Sequence, residues 1–199
     1  MFWDKISPLY DLFENVYNHR VYVGTGEKVA EFIDDGDDVL ELACGTGAIT
    51  EYIAQKCRRV VATDISTGML KQASIKCRRF NNVRFMKADI SHLKCSDGRF
   101  DKVVAGNVIH LLPEPGEALD ELYRVTKTGG MIIIPTYINM SQASSRFAVK
   151  FIEALGAEFK KEFDIDSYKA FFEDMGYKDA EYHVVEGRMP CAIAVITKK

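Results

Sequence analysis

The sequence predicts an α/β fold, a doubly wound and mostly parallel sheet with helices on both faces. Three observations carry that expectation. Short, almost wholly apolar runs alternate with stretches of helical periodicity. The first run leads into a glycine turn and then a helix. The last two runs are joined by so few residues that only a hairpin connects them.

The elements follow in order. Asp38-Val-Leu-Glu-Leu-Ala43 reads as a buried strand between an acidic turn and the glycines, and Ile49, Tyr52, Ile53 and Cys57 then recur at helical spacing. Arg59-Val-Val-Ala-Thr63 is a second strand, followed by a helix from about Thr67 that carries Met69, Leu70, Ala73 and Cys77. Val83–Lys87 is the third strand and Phe100–Ala105 the fourth, with Ala118, Leu119, Leu122 and Val125 marking the next helix. Gly130–Ile134 is the fifth strand. Near-continuous apolar strands of this kind are buried on both faces. A helix near Ser167–Met175 then precedes Asp179–Val185 and Pro190–Thr197, joined by Glu186-Gly-Arg-Met189. A parallel return needs a crossover of a dozen or more residues, so these two runs form an antiparallel pair. Lys-Cys-Arg-Arg, found at 56–59 and again at 76–79, reads as two helix C-termini whose basic residues complement the helix dipole.

Two segments fall outside this core. Residues 1–23 hold Phe2, Trp3, Tyr10, Phe13, Tyr17 and Tyr22, and residues from about 137 to 165 hold Phe147, Phe151, Phe159 and Phe163. Both are expected to cap the carboxyl edge of the sheet, where open α/β sheets bind ligands. Residues 1–199 are therefore read as one domain with an N-terminal cap and a cap insertion.

Composition narrows the function classes. The formal net charge of −3 gives no basic field for nucleic acid or anionic lipid. The five cysteines are odd in number and form no C-x-x-C pair, which predicts reduced thiols in a cytoplasmic protein and no metal site. Asp4, Lys5, Pro8 and Asp11 interrupt any signal-peptide core. The longest apolar runs, Met131–Ile134 and Cys191–Ile196, are far shorter than the roughly 20 residues of a membrane span.

The glycine turn, Val39-Leu-Glu-Leu-Ala-Cys-Gly-Thr-Gly47, leaves a strand and enters a helix, as a nucleotide-binding turn does. Gly45 and Gly47 permit a tight turn and close approach of backbone to ligand. A dinucleotide fingerprint wants a third glycine where this chain has Thr50, and a phosphate loop wants Gly-Lys-Ser/Thr where Gly47 is followed by Ala48-Ile49. An NAD-type dehydrogenase on a similar sheet is thus the weaker reading. Glu41 is an acid inside a strand, costly unless paired, and suited to a hydrogen-bond donor or a cationic ligand group. Asp64 ends the second strand about 19 residues after Gly45, where a carboxylate accepts both ribose hydroxyls; helix capping is the other reading. Asp89 ends the third strand at the same edge, placed to accept from a purine amino group or to close a turn.

Glu41-x-x-Cys44-Gly-Thr-Gly47, Asp64-Ile-Ser-Thr-Gly-Met69, Ala88-Asp89 and Phe100-Asp101 followed by Asn107 together resemble the ordered motifs of class I S-adenosylmethionine-dependent methyltransferases. The resemblance is to the ubiquinone/menaquinone-type branch and its small-molecule relatives, and it runs over residues 8–135. It implies a Rossmann-like seven-stranded sheet whose last strand is antiparallel. It implies S-adenosyl-L-methionine as cofactor, with the methionine part over Glu41, Ala43 and Gly45–Gly47 and the ribose on Asp64. Adenine would lie between Ile65 and Ile90 with Met69 beside it and its amino group at Asp89. Asn107 would stand next to the sulfonium, and Tyr10 resembles an early tyrosine that closes over the cofactor. His110, three residues after Asn107, is the candidate general base. Two features depart from the branch: Lys127-Thr-Gly-Gly130 replaces the common Lys-Pro-Gly-Gly, and Asn107–Pro113 differs from the stretch usual in quinone-methylating members. The expected partner is a small-molecule methyl acceptor, partly apolar given the aromatic caps, with no nucleic acid. A cofactor-binding protein without turnover is the alternative from the binding class.

Overall fold

The computed structural model describes residues 2–138 and 161–199; the side chains of Phe2, Lys5, Leu9, Tyr10 and residues 12–15 are outside that description. The chain opens with α1 (Phe2–Tyr17) and α2 (His19–Ala30), followed by β1 (Asp38–Leu42), α3 (Thr50–Ile53), β2 (Arg59–Asp64), α4 (Thr67–Lys76) and β3 (Val83–Lys87). Next come β4 (Phe100–Ala105), a 3-10 turn at Ile109–Leu111, α5 (Pro115–Val125) and β5 (Thr126–Tyr137). Then α6 (Ile165–Asp174), β6 (Glu181–Val185) and β7 (Cys191–Thr197) complete it.

The seven strands lie in the order β3-β2-β1-β4-β5-β7-β6. β1 to β5 pair in parallel, and β7 runs antiparallel to both β5 and β6. The hairpin expected at the end of the chain is present, with its second strand inserted beside β5 and its first strand left at the edge. Side-chain chemistry sets that order. β7 is Cys-Ala-Ile-Ala-Val-Ile-Thr and buried at every position but the last, whereas β6 is Glu-Tyr-His-Val-Val and half exposed. The apolar strand takes the interior slot and the mixed strand blunts the edge. β3, Val-Arg-Phe-Met-Lys, plays the same part at the other edge.

Strand alternation divides the interior into two layers. On one face Leu40, Leu42, Val103 and Ile132 meet Leu119 and Leu122 of α5 and Tyr168 and Phe172 of α6. On the other face Val39, Val60, Val104 and Ile133 meet Val21 and Val29 of α2, Ile53 of α3 and Ala73 of α4. Tyr168 is fully buried, and its hydroxyl donates to the Ile134 carbonyl at 2.5 Å.

Several expectations change in detail. The helix read over Ile49–Cys57 shortens to the four residues of α3, and turns carry the chain on to Cys57. The first Lys-Cys-Arg-Arg therefore lies past that helix, where Arg58 and Arg59 both pair with Asp38 at 2.8 and 2.7 Å. The second does end a helix, α4. The cap boundary at residue 23 falls inside α2, whose Val21 and Val29 are fully buried. Pro8 lies inside α1 and lacks the N–H that would bond to the Asp4 carbonyl; the Ser7 hydroxyl donates to that carbonyl instead, at 3.1 Å. Of the cap insertion, Phe147, Phe151 and Phe159 lie outside the described residues. Phe163 is buried and packs edge-on against Tyr168, ring centroids 5.4 Å apart. Among the described residues no helix is long and apolar enough to cross a membrane.

Candidate functional site

β1 is flanked by β2 on one side and β4 on the other, the point where crossovers leave in opposite directions and an open sheet parts at its carboxyl edge. A crevice of about 280 Å³ opens there. Each strand end contributes to its wall.

From β1 comes Glu41, 1% exposed, whose Oε2 has no hydrogen-bond partner among the described residues. Burial pushes its carboxyl up to about 8; the nearby Asp64 charge adds to this and hydrogen bonding from Thr50 opposes it. Ala43 follows with φ 52°, a left-handed conformation that L-residues rarely adopt and that marks stored strain. The neighbouring Cys44 N–H holds it there by donating to the Thr63 carbonyl at 2.9 Å. Gly45, at φ +54°, lines the crevice, and a Cβ there would meet nothing within 4 Å, so its glycine serves the turn's conformation and leaves room for a ligand. Gly47 differs. It is not on the crevice wall, and a Cβ there would press on Ala73 Cα at 3.2 Å and Cys77 Sγ at 3.3 Å. Its missing side chain lets α4 close on the turn.

From β2 comes Asp64, 8% exposed, with Oδ2 accepting the Gly45 N–H at 2.9 Å and Oδ1 accepting the Ser66 N–H at 2.8 Å. Burial raises its pKa against the pull of these bonds. The cap of α4 belongs to Ser66, whose hydroxyl accepts the Met69 N–H at 3.1 Å, so capping does not account for Asp64. Ile65 lines the crevice with 41% of its surface exposed, and Met69 and Ile90 line it as buried groups. Asp89 sits on the wall at the end of β3, one oxygen accepting the Ser91 N–H at 3.0 Å.

From β4 comes Asn107, also at positive φ (50°). Its N–H donates to the Pro135 carbonyl at 2.8 Å, and its Oδ1 accepts the Tyr137 N–H at 3.1 Å. That bond fixes the side-chain amide with its oxygen spoken for and its NH₂ left as donor. Gly106 is needed beside it because a Cβ would lie 2.8 Å from Ile49 Cδ1.

The N-terminal helices close the remaining side with Trp3, Tyr22 and Thr25. α1 is moored by two carboxylates. Asp4 accepts the Ser66 hydroxyl at 2.6 Å and the Gly68 N–H at 2.8 Å, bonds that hold it far below the usual carboxylate range. Asp11 accepts the Tyr22 hydroxyl at 3.0 Å and the Thr46 hydroxyl, and pairs with Lys76 at 2.6 Å. Tyr10 lies on α1, and its side chain is outside the description.

His110 is 2% exposed and does not line the crevice, although its neighbour Leu111 does. A general base must come within reach of the proton it takes, and the structure places His110 in the interior, one residue from that wall. Burial lowers its pKa to about 4. The unfolded chain therefore takes up a proton near pH 6.5 that the folded protein refuses until about pH 4. Stability from this group is fully present above pH 6.5 and falls as the pH drops toward 4, by up to about 3 kcal/mol. Urea titrations at pH 7 and pH 4.5 should show His110→Gln losing less stability than the wild type over that interval.

Sequence reasoning missed Thr25, Ile49, Gly106, Leu112 and Tyr137 on the wall. None belongs to a motif, and only the apolar character of Ile49 and Leu112 hinted at burial.

Known proteins fit this geometry. Residues 40–134 match the family described as methyltransferase domain. Demethylmenaquinone methyltransferase of Clavibacter sepedonicus is 35% identical over 136 residues, an alignment spanning 66% of this chain but only 55% of that protein. The chain thus covers little more than half of that relative's length. The protein of the same name from Renibacterium salmoninarum is 27% identical over 210 residues, spanning 93% of this chain and 86% of its own. A solved SAM-dependent methyltransferase of Thermotoga maritima shares the fold at TM-score 0.76 and 17% identity, covering 100% of this chain and 99% of its own.

Proposed function

We propose that the chain is a class I S-adenosylmethionine-dependent methyltransferase that transfers a methyl group to a small, partly apolar ring compound, a reading supported by the methyltransferase-domain match over residues 40–134 and by the named relatives. One observation supports the cofactor above the rest: a buried carboxyl, Glu41, on the wall of the crevice with an oxygen that no group among the described residues satisfies. Such an acid is costly until a cation meets it. The ammonium of an amino-acid-bearing nucleoside is that cation, whereas the pyrophosphate of a pyridine dinucleotide offers none.

When bound, S-adenosylmethionine would supply a methyl group on a sulfonium, the S–C bonding electrons staying on sulfur while an electron pair of the acceptor forms the new bond. The chain's own residues bind and orient. Asp64 spends one lone pair of each oxygen on Gly45 and Ser66 and keeps the other two for ribose hydroxyls. Ile65, exposed at the wall, and Ile90 provide apolar faces for adenine. Asp89 accepts from its amino group. The Asn107 NH₂ stands at the end of β4 where the reacting methyl would sit. Trp3, Tyr22, Leu111, Leu112 and Tyr137 form an apolar and aromatic wall that excludes water and aligns the acceptor, an orientation effect worth several orders of magnitude. That wall suits the kind of acceptor named in the demethylmenaquinone methyltransferases among the relatives.

The test is a metabolite extract incubated with the protein and methyl-labelled S-adenosylmethionine, read by mass spectrometry. The expected result is one labelled product and an equal amount of S-adenosylhomocysteine. Cofactor binding with no labelled product in any extract would overturn the transferase reading in favour of a binding protein.

A further inference from the structure

Two buried side-chain oxygens on the crevice wall have no hydrogen-bond partner among the described residues: Glu41 Oε2, and the hydroxyl of Thr25 on α2. Thr25 is 4% exposed. A helical threonine ordinarily donates back to a carbonyl of the preceding turn, and this one does not. Its helix is no loose cover. Val21 and Val29 of α2 are fully buried, and a Cβ at Gly26 would lie 2.3 Å from the Tyr52 ring, so α2 is pressed against the segment that follows the glycine turn. A desolvated hydroxyl held in that position by packing is poised for a ligand.

We infer that Thr25 is a cofactor-binding residue whose hydroxyl donates to the carboxylate at the amino-acid end of S-adenosylmethionine, while Glu41 takes the ammonium. The inference rests on the methyl-donor reading above. The two orphaned groups are complementary in kind, an acceptor and a donor, and a zwitterion requires one of each. Other donors near the turn are already used: the Cys44 N–H by the Thr63 carbonyl, the Gly45 N–H by Asp64 and the Gly47 N–H by the Cys44 carbonyl. The Thr46 hydroxyl is given to Asp11. Among the described wall hydroxyls, that of Thr25 is buried without a partner, and the Asn107 NH₂, the other donor still open, stands across at the end of β4.

Calorimetry on the whole chain tests this with two nucleosides, S-adenosylhomocysteine and 5′-methylthioadenosine, which share the adenosine and sulfur but differ in the amino-acid end. Thr25→Val keeps the shape and removes the hydroxyl. It should weaken S-adenosylhomocysteine about tenfold, the effect of one hydrogen bond to a charged group, and leave 5′-methylthioadenosine unchanged. Thr25→Ser should restore the affinity. Unchanged S-adenosylhomocysteine binding in Thr25→Val, or an equal loss for both nucleosides, would overturn the assignment. A wild-type protein that binds neither nucleoside would instead bring down the methyl-donor reading itself.

Discussion

Asp64→Ala is expected to weaken S-adenosylhomocysteine binding by about 2–4 kcal/mol, a thirtyfold to several-hundredfold rise in Kd. Two losses combine. A carboxylate that accepts both ribose hydroxyls makes hydrogen bonds of the charged kind, each worth about 1.5–3 kcal/mol before overlap is discounted. The same carboxylate ties the Gly45 N–H at 2.9 Å and the Ser66 N–H at 2.8 Å, so its removal also frees the turn that the ligand must lie against. Folding should suffer less than binding. Burial raises the Asp64 pKa, so the desolvation cost of the carboxylate offsets part of what its two backbone hydrogen bonds contribute to folding. Asp64→Asn separates the contributions, because its amide oxygen still accepts from one backbone N–H but its nitrogen cannot accept from a hydroxyl. It should melt near the wild-type temperature and still bind poorly. Wild-type affinity in either variant would remove the ribose role.

What the sequence disclosed follows from how strictly chemistry constrains residue type. The carboxylates at the ends of β1, β2 and β3 were legible because an acid in or just after an apolar strand calls for a partner. The two glycines of the turn were legible as a pair and not as individuals. Gly45 has open space at its Cβ and Gly47 has α4 there, a difference made by an element that arrives later in the chain. Ala43 and Asn107 adopt positive φ although neither is glycine, and no residue type announces that; the Cys44–Thr63 and Asn107–Pro135 bonds impose it. His110 and Leu111 part ways for a geometric reason. The 3-10 turn at Ile109–Leu111 rotates successive side chains by about 120°, so Leu111 reaches the crevice while His110 points into the interior. Thr25 and Tyr137 come to the wall on α2 and β5 through tertiary packing, and nothing local distinguishes them from other helix and strand residues. The hairpin of β6 and β7 was legible from the short joint between them, whereas the insertion of β7 between β5 and β6 is a tertiary choice that favours the more apolar strand.

Binding of the amino-acid nucleoside should expel a proton from Glu41. In the empty crevice burial holds that carboxyl near 8, so at pH 7 it is mostly protonated. An ammonium placed beside Oε2 favours the ionised form, and the proton leaves as the ion pair forms. Affinity for S-adenosylhomocysteine should therefore rise about tenfold between pH 6 and pH 7 and level off near pH 8, the ligand's amino group staying protonated over the lower part of that window. Calorimetry at pH 7 in buffers of different ionisation enthalpy should count close to one proton released per ligand. The same group imposes the opposite trend on the empty fold. A carboxyl whose folded pKa lies above its unfolded value of 4.5 contributes stability that is fully present below pH 4.5 and is lost as the pH rises through 8. Alkaline destabilisation of the empty protein and alkaline strengthening of binding are thus two readings of one proton. Glu41→Gln should abolish both, leaving affinity low and flat with pH and no proton released. Wild-type binding that neither varies between pH 6 and pH 8 nor exchanges a proton would show that Glu41 is already ionised before the ligand arrives, and that the cation it meets is not the ligand's.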